Sequence, residues 1–224
     1  MINYSKVLPI KNTKRTNAMT DFDVSKIKVV LMDIGGVLLT NGWGHESRQK
    51  AAKVFGFDYE AMDILHHFIY NVFEIGSITL EDYLDTVVFN QSRNFTKVDF
   101  KQFMYEQSVE LPEMLSWVKS WKKQTQLPVF ALNNESLELN DYRISKFKLH
   151  EVFNGFFSSC YLGFRKPDPR IYQTALEITR VNPEECLYFD DRPMLVDAAK
   201  KQGIHAVLHE NFENTKQILE NLKI

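Results

Sequence analysis

Cysteine is scarce in this chain. Its two cysteines, Cys160 and Cys186, form no C-x-x-C pair and no spacing suited to zinc, and each sits in or beside an apolar run. A disulfide-stapled fold is therefore excluded, and both are read as buried, reduced thiols of a cytoplasmic chain. Long apolar stretches are missing too, since nothing approaches the roughly 20 residues of a membrane span, so no membrane partner is expected. The first twenty residues carry Lys6, Lys11, Lys14 and Arg15 but no apolar segment, so they do not read as a secretory signal. Residues 1–22 are expected as a loosely ordered tail, with Met19 as an alternative start. Excess charge is also lacking: 27 Lys and Arg against 29 Asp and Glu leave −2, too little to draw nucleic acid or a membrane surface. Repeats and low-complexity segments are absent.

What is present is an alternation. Short apolar runs at Val29–Asp33, Val129–Leu132, Phe156–Ser159, Cys186–Asp190 and His205–Leu208 read as strands. Between them Pro112–Lys123, Glu138–Phe147, Pro169–Thr179 and Met194–Gln202 carry apolar residues at helical spacing. Pro112 and Pro169 suit a first helical turn, and Gly203 suits a helix C-terminus. Strands alternating with helices imply an α/β fold with a doubly wound, Rossmann-like parallel sheet. The 17 Phe and nine Tyr fit an aromatic-rich core.

The alternation breaks between Leu39 and Leu111. Helical patterns at His45–Phe55, Tyr59–Phe73, Thr79–Phe89 and Val98–Gln107 fill the interval, with Thr79 and Asp82 spaced as a capping box. The expected organisation is a core of residues 23–40 and 111–224, with 41–110 inserted as a helical cap after the first strand. Such an insertion lies over the C-terminal edge of the sheet, where it excludes water and shapes a pocket.

Polar residues collect at strand ends. Asp33 closes the first, followed at once by Gly35 and Gly36, whose freed N–H groups suit a phosphate. Asn133 and Asn134 end the second, Lys166 in Arg-Lys-Pro-Asp-Pro follows the third, and Asp190 and Asp191 end the fourth. In a parallel sheet these ends share one edge. Two carboxylates from separate strands suit Mg²⁺, and an amide and a lysine suit phosphoryl oxygens. Trp43, between Gly42 and Gly44, lines the pocket or simply packs. His66 and His67 read as packing or surface residues, and Phe68, Tyr70 and Phe73 as helix core.

This constellation resembles the haloacid dehalogenase superfamily of hydrolases, over essentially the whole chain after residue 26. Its Asp-x-Gly-Gly-Val-Leu form and helical cap are most similar to the branch of sugar-phosphate phosphatases and the phosphatase domain of soluble epoxide hydrolase. The resemblance implies that Asp33 is a nucleophile forming an aspartyl-phosphate. It implies that Asp33, the Gly35 carbonyl and Asp191 hold Mg²⁺, that Lys166 offsets phosphoryl charge and keeps Asp33 ionised, and that Asn133 donates to a phosphoryl oxygen. The implied activity is hydrolysis of a small, sugar-phosphate-like metabolite. Asp190 is a weaker candidate beside Asp191, and neither a monomer nor a homodimer is favoured.

Three positions depart from the family pattern. The second aspartate, which protonates the leaving group and activates water, is Gly35 here, and losing a general acid/base typically removes about 10²–10⁴-fold of rate. The usual Ser or Thr is Asn133, and the later metal-supporting Asp or Asn falls on Leu195. His45 and Glu135 are the nearest substitutes for the acid/base. Substrates with good leaving groups are then favoured. Two other readings stay open: a degenerate member that binds a phosphorylated ligand or a protein partner, and a metal-free 2-haloacid dehalogenase.

Overall fold

The computed structural model describes residues 22–222. The expected tail up to residue 21, and the alternative start at Met19, lie outside the described residues. Five strands, β1 (Val29–Met32), β2 (Val129–Asn133), β3 (Gly155–Ser158), β4 (Cys186–Asp190) and β5 (His205–Leu208), form one parallel sheet in the order β3-β2-β1-β4-β5. The central strand β1 is buried on both faces, which is why it reads as an unbroken apolar run. Its side chains split with the two-residue strand period: Val30 and Met32 pack with Leu115 and Val118 on one side, Val29 and Leu31 with Tyr172 and Tyr188 on the other. Each such buried aliphatic side chain contributes about 1.5–3 kcal/mol, so a charge at Leu31 would break the sheet at its centre.

Four helices follow β1: α1 (His45–Phe55), α2 (Tyr59–Glu74), α3 (Leu80–Val87) and α4 (Lys97–Glu106). They enclose an aromatic-rich core of their own around Tyr83, Phe100 and Trp43. The Thr79–Asp82 capping box is formed at the start of α3. These helices are tied to the sheet layer by Ser159, whose hydroxyl donates to the Glu74 carbonyl at 2.6 Å, and by Glu138, which accepts the Leu80 N–H at 2.8 Å.

The remaining helices are α5 (Met114–Lys122), α6 (Leu137–Lys146), α7 (Ser159–Leu162), α8 (Pro169–Thr179), α9 (Pro193–Lys200) and α10 (Phe212–Glu220). Pro169 opens α8, with Asp168 accepting the Arg170 N–H at 3.0 Å. Pro112 does not open α5: Glu113 adopts φ +68°, so the helix begins two residues later than expected, at Met114. The third strand sits one residue earlier than expected, because Ser159 already starts α7. Helix α10 has no counterpart among the expected helices. One of its core positions is Thr215, fully buried and bonded through its hydroxyl to His209, which dilutes the apolar period. Among the described residues no helix is long and apolar enough to cross a membrane.

Candidate active site

Asp33 is the first residue past β1, and the pairing of Met32 with Phe189 places it beside Asp190 at the end of β4. Its N–H donates to the Phe189 carbonyl at 2.9 Å, which fixes the backbone. Asp33 Oδ1 accepts the Ile34 N–H at 2.8 Å and lies 3.2 Å from Lys166 Nζ. Lys166 is only 1% exposed, and its ammonium donates to Asp190 Oδ2 at 2.7 Å and to the Tyr188 hydroxyl at 2.9 Å. Tyr188 donates to the same Asp190 oxygen, as two residues on one face of a strand can. The loop that delivers Lys166 is clamped by Asn134, whose amide accepts the Lys166 N–H at 2.8 Å and donates to the Lys166 carbonyl at 2.9 Å. Asn134 therefore touches the cavity while holding the lysine in place.

Burial pushes the Asp33 carboxyl up to about 6, and the Lys166 ammonium only partly offsets it because Asp190 raises it further. The lysine lowers the value, but desolvation is larger. Asp191 is also raised, by burial and then by Asp190.

Oxygens of Asp33, Asp190 and Asp191 lie within 4.8 Å of one another. Asp190 is already engaged at both oxygens, since its Oδ1 accepts the Arg192 N–H at 2.9 Å while Oδ2 takes Lys166 and Tyr188. Asp191 is different: its Oδ1 is buried with no hydrogen-bond partner among the described residues. A buried, unpaired carboxylate oxygen is costly unless a cation meets it. Three carboxylates against the Lys166 ammonium and the neighbouring Arg192 guanidinium still leave net negative charge, and an all-oxygen donor set suits a hard divalent cation such as Mg²⁺. The residues present fit the ion.

A cavity of about 440 Å³ opens over this cluster, bounded by Asp33 and Lys166 below and by Trp43, His45, His66 and Tyr70 from the helical insertion. Trp43 lines it with its indole N–H donated to the Tyr83 hydroxyl at 2.8 Å. His45 lines it too, with Nδ1 2.8 Å from the Tyr59 hydroxyl. His66 is packed inside, as expected, and also forms part of the wall; its Nδ1 is 2.8 Å from the Tyr83 hydroxyl, and burial pushes its imidazole down to about 3. His67 also borders the cavity.

Two expected substrate contacts are engaged elsewhere. Asn133 donates to Asn140 Oδ1 at 3.0 Å and accepts the Ser158 hydroxyl at 2.7 Å, so its amide is spent inside the protein. Gly36 donates its N–H to the Leu39 carbonyl at 2.7 Å, closing the loop on itself rather than presenting that N–H to a phosphate. Neither residue lines the cavity. Glu135 does line it, but Arg143 Nη1 donates to its Oε2 at 2.7 Å and the Ser136 N–H to its Oε1 at 3.0 Å, so it is tied up as an acid/base. Leu195 forms part of the wall, and Asp197 faces solvent.

Sequence reasoning passed over Tyr188, Arg143, Asn41, Arg165 and Glu74. The two-residue strand period from Asp190 would have found Tyr188. Arg165 stands next to Lys166, lies over the Tyr70 ring at 4.9 Å and pairs with Glu74 at 2.8 Å. Burial raises Glu74 to about 7 despite that arginine. Nothing local marks Arg143, because only the fold carries it to Gly35.

A family model described as haloacid dehalogenase-like hydrolase matches residues 27–203. Flavin mononucleotide hydrolase 1 of Arabidopsis thaliana, named as a chloroplast protein, is 26% identical over 203 residues, spanning 89% of this chain and 79% of the relative. The Phosphorylated carbohydrates phosphatase of Thermotoga maritima is 27% identical over 209 residues, spanning 87% and 91%. In architecture, the chain is similar to a solved HAD family enzyme of Bacteroides thetaiotaomicron, with a TM-score of 0.70, 22% identity and coverage of 81% and 93%.

Proposed function

This chain belongs to the haloacid dehalogenase-like hydrolases, and from that premise we propose that it is a Mg²⁺-dependent phosphatase acting on a small phosphorylated, sugar-phosphate-like metabolite. The observation that carries the reading is the buried Asp33–Lys166 contact beside Asp191 Oδ1, a carboxylate oxygen left for a cation. Phosphatase-named relatives over most of the chain support the choice of reaction. We propose a cytoplasmic location, a reading that the free thiols of Cys160 and Cys186 support.

In this reading Asp33 attacks phosphorus, supported from behind by Lys166, and water later hydrolyses the aspartyl-phosphate. Lys166, fixed by Asp190, Tyr188 and Asn134, holds a positive charge beside the reacting carboxylate that offsets charge on the phosphoryl oxygens. Asp33, Asp191 and the Gly35 carbonyl would hold Mg²⁺, which supplies charge neutralisation of the phosphoryl oxygens. Walls contributed by α1 and α2 keep water from the reacting centre and contact the rest of the substrate.

The test is turnover on a panel of phosphorylated metabolites plus an aryl phosphate, with Mg²⁺ or chelator, beside Asp33→Asn. Mg²⁺-dependent hydrolysis abolished by the substitution supports the phosphatase. A folded protein that turns over nothing yet binds a phosphorylated ligand without metal would be a degenerate binder. Halide release from 2-haloacids without metal would make it a dehalogenase.

A further inference from the structure

Gly35 stands two residues beyond Asp33, where the family's acid/base carboxylate would be, and the surrounding space is not open. An ideal Cβ on Gly35 would lie 3.0 Å from Asn41 Oδ1 and 3.8 Å from Arg143 Nη1. A guanidinium nitrogen therefore lies within van der Waals reach of the point where a residue-35 side chain would begin. Arg143 comes from α6 and is 3% exposed. Its Nη1 donates to Glu135 at 2.7 Å and its Nη2 to the Thr40 carbonyl at 2.6 Å, which fixes the plane of the group. These bonds use two of the five N–H donors a guanidinium carries. Nε is buried with no acceptor among the described residues. Gly35, Asn41, Glu135 and Arg143 all border the cavity that Asp33 opens into.

We propose that Arg143 is a catalytic residue that replaces the missing acid by stabilising the departing oxygen as an anion, so that leaving-group acidity sets specificity. The inference rests on the phosphatase reading. An arginine cannot lend a proton near neutral pH, so its contribution is charge alone. In the first half-reaction Asp33 forms a bond to phosphorus and the bond from phosphorus to the leaving oxygen breaks. Its electron pair stays on that oxygen, which departs as an anion against Arg143 and takes a proton from water afterwards. In the second, water forms a bond to phosphorus and the bond to Asp33 breaks. Inorganic phosphate and a proton are released, and the carboxylate is restored. The substrates suited to this site are acyl, anomeric or aryl phosphates, whose leaving oxygens are weak bases. A fixed donor to a developing oxyanion is typically worth about 10²–10³-fold.

The experiment measures kcat/KM with Mg²⁺ for dinitrophenyl, nitrophenyl and phenyl phosphate, on the wild type, Arg143→Gln, Arg143→Lys and Asp33→Asn. In the wild type kcat/KM should fall as the leaving group becomes more basic. Arg143→Gln should steepen that dependence, with a loss of about 10²-fold on phenyl phosphate and only a few-fold on dinitrophenyl phosphate. Arg143→Lys keeps a cation opposite Glu135, so it answers the question even where the glutamine variant does not fold; its slope should lie between the two. A uniform loss across the series would overturn the proposal and leave Arg143 a structural residue. So would a wild-type rate indifferent to the leaving group, or one whose dependence appears only when His45 is replaced, since His45 would then be the acid. If the folded wild type hydrolyses none of the three, or Asp33→Asn retains wild-type turnover, the phosphatase reading itself fails. If turnover needs Asp33 but the slope ignores residue 143, only this inference fails.

Discussion

An ideal Cβ on Gly36 would lie 2.1 Å from Asp191 Oδ2, closer than any two such atoms can stand. Gly36 also adopts φ +75°, a region costly for side-chain-bearing residues. Asp191 reaches its place only because residue 36 has no side chain. The role of this glycine is therefore steric: it makes room for a carboxylate.

Gly36→Ala should displace Asp191 and weaken cation binding. A ligand at 100 times its Kd raises stability by about 2.7 kcal/mol. Thermal unfolding with increasing Mg²⁺ should raise the wild-type midpoint, whereas the variant should need about tenfold or more Mg²⁺ for the same rise. An unchanged Mg²⁺ response would show that Asp191 is not a ligand.

Lys166→Met removes the ammonium shared by Asp33 and Asp190 and leaves both carboxylates buried without it. Breaking a buried pair from one side typically costs about 3–5 kcal/mol. Urea unfolding should show a loss of that order, partly recovered at saturating Mg²⁺ because the ion offsets the same charge. A loss under about 1 kcal/mol would mean the contacts contribute little.

His66 gives stability a defined pH dependence. Its imidazole lies near 3 in the folded protein against 6.5 when free, because burial and then Arg48 disfavour the cation. Between those values the unfolded chain binds the extra proton, so stability rises with pH there; it is fully present above 6.5 and is lost as pH falls toward 3. Glu74, raised to about 7 from 4.5, acts with the opposite sign, losing its contribution as pH rises through 7. Unfolding midpoints of the wild type and His66→Gln across pH should show a flatter acid limb in the variant. Parallel limbs would place the imidazole in water.

The sheet was legible in the sequence because each strand is a short apolar run closed by a polar residue, and the order of Asp33, Lys166 and Asp191 along the chain pointed to one edge. The four helices that follow β1 were legible from the interval between Leu39 and Leu111 that no strand-like run enters. What could not be read was the use of individual polar atoms. Asn133 sits at a strand end like Asp33, yet Asn140 and Ser158, seven and 25 residues away, claim its amide. Arg143 reaches the neighbourhood of Gly35 only through the packing of α6, across 108 residues of chain. Helix α10 escaped because a buried threonine stands where a periodic apolar residue would announce it.

The most direct measurement asks whether phosphate becomes bound to Asp33. The protein, incubated with Mg²⁺ and an aryl phosphate and quenched in acid, would be digested and its peptides analysed by mass spectrometry. A phosphoryl group on the peptide spanning Lys28–Leu38, localised to Asp33 and absent in Asp33→Asn, is the predicted result. Sustained hydrolysis by a folded Asp33→Asn protein, with no adduct on that peptide in the wild type, would contradict the account.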